Sequence, residues 1–145
     1  MLALIQLASF VGILLIITVS YTSLVHTRRA AVRESLEQLD DIKFANRPDL
    51  KVRPILYRCR GVVFRGQCDV KFKFYGSIAP GASEPDAFLE MPDAVFEGYD
   101  VRTEQDGYVV SMDSNNPVEI RRKTNEIMLE MYNYEKRSGA DGKKT

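Results

Sequence analysis

The sequence contains few of the residues and motifs on which enzymes and metal proteins depend. It has one histidine, His26, and two cysteines, Cys59 and Cys68, so a four-ligand zinc site would need carboxylates to complete it. No G-x-G-x-x-G loop, G-x-S-x-G nucleophile motif or H-E-x-x-H metal motif is present. We therefore predict a non-catalytic protein, and we expect no metal, no cofactor and no small-molecule substrate.

An excess of charge of one sign is also missing. Twenty basic and twenty acidic residues cancel, which argues against a nucleic-acid partner because nucleic-acid-binding proteins carry a strong basic excess. The charges are segregated, however: nine Lys or Arg lie between residues 43 and 73, and nine Asp or Glu lie between residues 84 and 113. Either the two blocks pair across neighbouring strands, or the basic block lies near lipid headgroups and the acidic block faces away, toward a partner.

The first 25 residues carry no charged side chain. A helix from Leu2 to Val25 would be about 36 Å long, and the hydrocarbon core of a bilayer is about 30 Å thick. The spacing predicts a transmembrane anchor over residues 1–25, followed by residues that suit a membrane–water interface: Tyr21, His26, Arg28 and Arg29. A lone histidine at an interface is usually a polar flank, so His26 is a weak candidate for binding a pigment, a haem or a lipid headgroup.

A cleaved signal peptide and a buried helix of a soluble domain are the alternatives to an anchor. The chain lacks the positive n-region and small-residue cleavage site of a signal peptide, and 145 residues leave little protein in which to bury such a helix. No Lys or Arg precedes the span, whereas Arg28, Arg29 and Arg33 follow it. The positive-inside rule therefore predicts that the C-terminal part lies on the cytoplasmic or matrix side of a bacterial or organelle inner membrane.

Apolar residues at helical spacing continue beyond the span and predict a helical stalk over residues 26–46. Asn46 and Pro48 would end it, because the residue before a proline is disfavoured in a helix. A small soluble domain is expected over residues 47–137. The polar segment 138–145 is expected to be a disordered tail.

The segment from Cys68 to Tyr75 alternates apolar and polar residues, which is typical of a half-buried strand. The preceding segment, 54–64, predicts a second strand with Ile55 and Tyr57 on its apolar face, a bulge at Gly61 and a turn at residues 65–67. In that register Cys59 would lie roughly 16 Å from Cys68, too far for a disulfide. We therefore expect two free thiols, unless the turn is instead at Arg60-Gly61.

A second hairpin is predicted at residues 99–112, with Asp106-Gly107 as a type I′ turn. One face would carry the apolar side chains Tyr99, Val101, Tyr108, Val110 and Met112. A short strand at residues 86–91 is a further possibility. A helix beginning at Asn116-Pro117 would place an apolar stripe, from Ile120 to Tyr134, on one side.

These patterns together predict an α+β fold. The chain would have an N-terminal transmembrane helix extended as a stalk, an antiparallel sheet of four or five strands, and one C-terminal helix. The plan is similar to that of type IV pilins and pseudopilins. Members of that family usually carry Glu at the fifth mature position, where this chain has Ile5 followed by Gln6.

The leading functional hypothesis is an accessory or structural subunit of a larger membrane complex, whose partners are other membrane subunits and the lipid bilayer. Ser9 and Gly12 would permit close approach of a neighbouring helix. On the soluble side, the candidates for partner contact are Glu97, Asp100, Met131 and Tyr134. A pilin-like filament subunit and a membrane-tethered enzyme, with Glu97 or Asp100 beside Tyr99 as acid or base, are the alternatives.

Overall fold

A long apolar helix begins the fold. The computed structural model describes residues 1–62, 65–76 and 89–142 of the chain. Its first element, helix α1, runs without interruption over Leu2–Glu37. Val32 and Leu36, near its C-terminal end, are buried, and the segment that precedes them is almost wholly exposed. One helix therefore joins the apolar N-terminus to the core of the domain.

Five antiparallel strands form one sheet in the described part of the chain, and a second long helix follows them. The strands are β1 (Ile42–Lys43), β2 (Leu50–Val62), β3 (Arg65–Gly76), β4 (Asp100–Glu104) and β5 (Gly107–Met112), and helix α2 spans Pro117–Gly142. The order in the sheet is β1-β2-β3-β5-β4, and one turn of 3-10 helix, Asp93–Phe96, precedes β4. The predicted α+β fold is confirmed.

The core lies between one face of the sheet and the two helices. Alternate side chains of β3 and β5 point to this face and are at most 4% exposed: Cys68, Val70, Phe72, Phe74, Tyr108, Val110 and Met112. Helix α2 covers them with Ile120, Ile127, Met128 and Met131, each at most 2% exposed. The last turns of α1 pack on α2 and on β2. The apolar stripe of the C-terminal helix is thus core.

The first hairpin has a different register from the predicted one. Val62 pairs with Arg65 and Cys59 pairs with Cys68, so residues 63–64, which lie outside the described residues, connect the strands. The predicted turn at 65–67 is wrong because Gly66 lies in β3 opposite Gly61. A Cβ atom on Gly66 would overlap the side chain of Asn115, so this glycine provides room for a neighbouring segment.

The bulge in β2 is also displaced. The register shifts between Leu56 and Arg58, around Tyr57, and not at Gly61. Ile55 and Tyr57 therefore lie on the open face of the sheet, at 36% and 42% exposed, and their predicted burial is wrong. Val52 and Pro54 are buried in their place. An extra residue at Tyr57 inverts the alternation and brings Cys59 back to the core side.

The second hairpin has the predicted buried and exposed faces but a different turn. Glu104 pairs with Gly107, so Gln105 and Asp106 form the turn and the predicted Asp106-Gly107 turn is wrong. Gly107 lies in β5, where a Cβ atom would overlap the backbone carbonyl oxygen of Phe72. The pairing is shifted by two residues from the predicted one, and because side chains alternate with period two, the face assignment survives.

The helix boundaries differ from those predicted at both ends of the domain. Helix α1 ends at Glu37, and Phe44, placed in the stalk by its sequence, is 1% exposed and stacks on Phe74 with ring centroids 6.1 Å apart. Helix α2 continues through Gly142, so residues 138–142 do not form the predicted disordered tail; residues 143–145 lie outside the described residues. The predicted strand at 86–91 is absent at residues 89–91, and 86–88 also lie outside them.

A hydrogen-bonded clamp accounts for the longer C-terminal helix. The backbone N–H of Asn46 donates to the carboxylate of Glu135 at 3.0 Å, and the side-chain amide of Asn46 donates to the backbone carbonyl of Glu135 at 2.7 Å. Glu135 is 4% exposed. These contacts attach the last turns of α2 to the segment after β1, so the polar C-terminal sequence has a partner that local propensity does not reveal.

Candidate membrane and partner interfaces

The N-terminal part of α1 exposes apolar side chains that no other part of the described structure covers. Its large apolar residues from Leu2 to Val19 are between 49% and 76% exposed, and the best 18-residue window has a mean hydropathy of 2.6. Leaving such a side chain in water costs about 1.5–3 kcal/mol, so a dozen of them would outweigh the whole stability of a typical domain. By length and composition this helix could span a membrane.

The domain lies beside the C-terminal part of α1, with β2 antiparallel to the helix. Leu36 lines the same cleft as Pro54 and Leu56, whereas Arg29 is close enough to Cys59 to act on its thiol electrostatically. From Cys59 the strand continues for three residues to Val62, about 10 Å, which equals about seven residues of helix. The end of β2 therefore extends past Cys59 toward the exposed N-terminal part of α1.

The residues predicted for the membrane interface lie together on α1. Tyr21, His26, Arg28 and Arg29 are all exposed. A Cβ atom on Gly12 would meet no atom within 4 Å, and Ser9, one turn away, is exposed as well. This face of the helix is therefore open, and its small residues would allow a neighbouring helix to pack closely against it.

Among the described residues, the two charged blocks meet across strands at one basic residue, as the first of the two charge hypotheses predicts. Lys71 lies between Glu104 and Asp106, with its Nζ atom 2.9 Å and 2.8 Å from their carboxylate oxygens. Arg60 pairs instead with Asp69, inside its own block. Asp100 pairs with Ser111, which in turn pairs with Asp69, and Asp69 pairs with Arg58, so part of the acidic block lies toward the same end of the sheet as the β2–β3 connection. Residues 84–88 of that block are outside the described residues.

Replacing Lys71 with methionine is expected to reduce stability at neutral pH and to have little effect in acid. Lys71 lowers the pKa of Asp106 and of Glu104 from ordinary values of 3.8 and 4.5. Carboxylates with lowered pKa values stabilise the folded state above the unfolded-state pKa, and this contribution is lost as the pH falls through the folded-state pKa. We expect the Tm of Lys71→Met to be lower by a few degrees at about pH 7 and to match wild type once the pH falls below the lowered pKa values of both carboxylates.

Thermal unfolding of the full chain in detergent micelles, followed by circular dichroism across this pH range, measures the effect. Lys43→Met is the matched control, because Lys43 is exposed on β1 and takes part in no ion pair within the described residues. If the Tm of Lys71→Met stayed below that of wild type by the same amount at acidic pH, the electrostatic explanation would be contradicted. Lost packing by the aliphatic part of the lysine side chain would then be indicated.

An ionic cluster that sequence analysis did not single out ties the segment before β1 to the open face of the sheet. Arg53 donates to both carboxylate oxygens of Asp41, at 3.1 Å and 3.0 Å, and the hydroxyl of Tyr75 donates to the same carboxylate. The guanidinium also lies 5.2 Å from the centre of the Tyr75 ring. Hydrogen bonds from Arg53 lower the pKa of Asp41, so this carboxylate is held ionised, as a structural cross-link would be.

The candidates for partner contact on the soluble side do not lie on one surface. Glu97 and Asp100 are exposed at the start of β4, an edge strand of the described sheet. Met131 is 1% exposed and belongs to the core, so its prediction as a contact residue is wrong. Tyr134 is half-buried and lines a cleft with Met91 and Glu135.

Neither Glu97 nor Asp100, the candidates for an acid or base beside Tyr99, lines the described cleft next to that tyrosine. The cleft next to Tyr99 is lined by Met91, Phe96 and Tyr108, with Glu90 and Asp93 as its carboxylates. Within residues 1–62, 65–76 and 89–142, no three His, Cys, Asp or Glu side chains lie close enough together to hold a metal ion.

The two cysteines face each other across the first hairpin. Cys59 and Cys68 are directly paired in the register, and their Sγ atoms are 2.6 Å apart. The predicted separation of roughly 16 Å is wrong because the turn and the bulge lie elsewhere. Both are free thiols in the structure.

No family model matches the chain, and neither a curated protein nor a solved structure matches it.

Proposed function

We propose that this protein is a non-catalytic, single-span membrane protein that serves as an accessory subunit of a larger membrane complex. The observation that supports the proposal is the continuity of α1, which exposes apolar side chains along its N-terminal part and buries Val32 and Leu36 in the domain near its C-terminal end. Because α1 is unbroken between its apolar part and its buried residues, the anchor would fix the height and orientation of the domain above the bilayer. Such rigid coupling suits a subunit that meets its partner both inside and beside the membrane.

The proposed orientation has the domain on the cytoplasmic or matrix side. No Lys or Arg precedes the apolar segment, and Arg28, Arg29 and Arg33 follow it on the exposed surface of α1, as the positive-inside rule requires. Inside the bilayer the partner helix would contact Ser9 and Gly12. On the soluble side the partner would contact the β4 edge through Glu97 and Asp100, which are exposed and take part in no ion pair within the described residues.

Replacing Gly12 with leucine is expected to weaken the complex without removing the protein from the membrane. Leucine adds bulk on the face where a partner helix would approach, and small residues are what let two helix backbones pack closely in a bilayer. We expect roughly a tenfold loss of bound partner, equivalent to about 1.4 kcal/mol. The measurement is purification of the tagged full chain in a native detergent, with quantitative mass spectrometry of the proteins that elute with it. Membrane proteins at a fixed ratio to wild type, depleted in Gly12→Leu, are the expected result.

Leu14→Phe is the matched control, because residue 14 lies roughly 200° around the helix from residue 12 and its side chain is also exposed, at 50%. The double variant Glu97→Lys with Asp100→Lys tests the soluble contact separately. Recovery of the wild-type chain alone would overturn the accessory-subunit proposal, and equal depletion by Gly12→Leu and Leu14→Phe would overturn the proposed helix face.

A filament subunit is the second candidate, and the same continuity of α1 favours it. A filament built around its helices needs an exposed apolar N-terminal segment, and α1 has one; the last turns of the same helix pack on the domain through Val32 and Leu36. Size-exclusion chromatography in detergent separates the two candidates, since a complex elutes at one size and a filament dissociates into polydisperse fragments. A polydisperse elution that contains no other protein would favour the filament.

A further inference from the structure

We propose that Cys59 and Cys68 form a reversible dithiol–disulfide site, in which Cys59 reacts with a small disulfide such as oxidised glutathione and Cys68 resolves the adduct. The chemistry depends on the β2–β3 hairpin alone, and only the position of the site relative to a bilayer rests on the proposed function. It assigns a covalent modification to two residues that sequence analysis placed far apart.

The register of the hairpin places the two cysteines in the pair type that suits a cross-strand disulfide. Val62 and Arg65 are the first pair after a two-residue connection, a position that is hydrogen-bonded in such hairpins. Hydrogen-bonded and non-hydrogen-bonded pairs then alternate along the strands, so Cys59 and Cys68, three pairs further on, form a non-hydrogen-bonded pair. In this pair type the Cα atoms are about 4.5 Å apart and the side chains are at their closest, within the range that a disulfide bridges.

The thiols are also in contact. Their Sγ atoms are 2.6 Å apart, nearer than two sulfur atoms that merely pack together. No movement of either strand is needed to bring them to bonding distance. The pair can therefore close inside the folded domain, without local unfolding.

The surroundings give the two thiols different roles. Cys59 is partly exposed, whereas Cys68 is 0% exposed, so a disulfide in solution can reach Cys59 first. The hydrogen bond from Cys68 lowers the pKa of Cys59, and the nearby guanidinium groups of Arg29 and Arg33 act in the same direction. The hydrogen bond to Cys59 and burial raise the pKa of Cys68. Cys59 is thus the attacking thiolate and Cys68 the resolving thiol.

The reaction proceeds by two thiol–disulfide exchanges. In the first, the Cys59 thiolate attacks one sulfur of oxidised glutathione, an S–S bond forms between them, and the other glutathione leaves as a thiolate that takes up a proton. In the second, Cys68 loses its proton to water, its Sγ attacks Cys59 Sγ, and the second glutathione leaves and is protonated. Two cysteine thiols are oxidised to one disulfide, and one glutathione disulfide is reduced to two thiols.

Formation of the disulfide would join β2 to β3 at the end of the sheet that would face the bilayer. Arg29 of α1, about two turns of helix after Tyr21, is close enough to act electrostatically on the Cys59 thiol. The oxidised site would therefore brace the hairpin where it comes closest to the membrane surface.

The test uses the full chain in detergent micelles, equilibrated with mixtures of oxidised and reduced glutathione, then acid-quenched, alkylated and weighed by intact mass spectrometry. We expect both alkylation sites to disappear together as the mixture becomes more oxidising, with the loss of two hydrogens per chain and full reversal by reduced glutathione. Two alkylated cysteines throughout the titration, or disulfides only between chains, would overturn the proposal.

Single-cysteine variants test the assigned roles. Cys68→Ala should accumulate one glutathione adduct on Cys59, because the resolving thiol is missing, and Cys59→Ala should remain largely unmodified under native conditions. Circular dichroism confirms folding of each variant, and Cys→Val replacements serve if alanine does not fold. Equal adduct formation on both single-cysteine proteins would contradict the assignment of attacking and resolving thiols.

Discussion

Replacing both Leu14 and Ile17 with arginine is expected to remove the protein from the membrane. The two side chains are 50% and 61% exposed in the middle of the apolar part of α1. Each arginine at the centre of a span costs about 2.5–3.5 kcal/mol on insertion scales, whereas each apolar residue contributes only about 0.3–0.6 kcal/mol. The pair therefore costs roughly as much as the whole apolar segment supplies.

The measurement is fractionation of cells that express the full chain, followed by extraction of the membranes with alkaline carbonate. Wild type should stay with the membranes, and the double-arginine variant should move to the soluble or aggregated fraction. The matched control places two arginines at Val118 and Leu129, which are 76% and 54% exposed on α2, outside the proposed span. A double-arginine α1 variant that still resists carbonate would show that this helix is not what holds the protein in the membrane.

Replacing Phe72 with alanine is expected to destabilise the domain by about 3–5 kcal/mol. Phe72 is 0% exposed at the centre of β3, paired with Pro54 on one side and Tyr108 on the other. Removing the ring loses its burial and leaves a cavity between the sheet and the helices. Because domains are stable by only about 5–15 kcal/mol, much of the stability would be lost.

Urea unfolding of the full chain in micelles, read by pulse proteolysis, gives the free energy of unfolding. Lys73→Ala is the control, since Lys73 is exposed on the next position of the same strand and should change this free energy by less than about 0.5 kcal/mol. If Phe72→Ala prevents folding altogether, Val70→Ala, at another 0% exposed position, gives a smaller loss in the same direction. Equal effects at Phe72 and Lys73 would contradict the assignment of the core face.

The secondary structure followed from the sequence wherever the periodicity was long and uninterrupted. The alternation from Cys68 to Tyr75 predicted the β3 strand and its buried face, and the stripe from Ile120 predicted the inner face of α2. The face of Tyr108 and Val110 was predicted even though the turn before it was wrong, because an error of two residues leaves a strand's faces unchanged.

Turns and register were mispredicted where a glycine serves the tertiary packing. Gly107 follows Asp106, a residue typical of turns, and Gly66 is itself a turn-forming residue, so local propensity assigns both glycines to turns. In the structure both glycines lie inside strands, at positions where a larger residue would not fit. A Cβ atom would overlap the backbone of Phe72 at Gly107 and the side chain of Asn115 at Gly66. Those neighbours are distant in sequence, so no local pattern could reveal them. The facing of Cys59 and Cys68 depended on the same register and was missed for the same reason.

The sequence by itself determined that the chain has an apolar N-terminal helix and a small α+β domain, because hydrophobic length and periodicity are local properties. Only the tertiary structure decided which surfaces the domain leaves open. It placed Phe44 and Glu135 in contact with distant parts of the chain, it buried Met131, and it brought Cys59 to Cys68. These outcomes depend on contacts between helices and strands that are distant in sequence. The residue pattern of a single helix or strand does not determine such contacts.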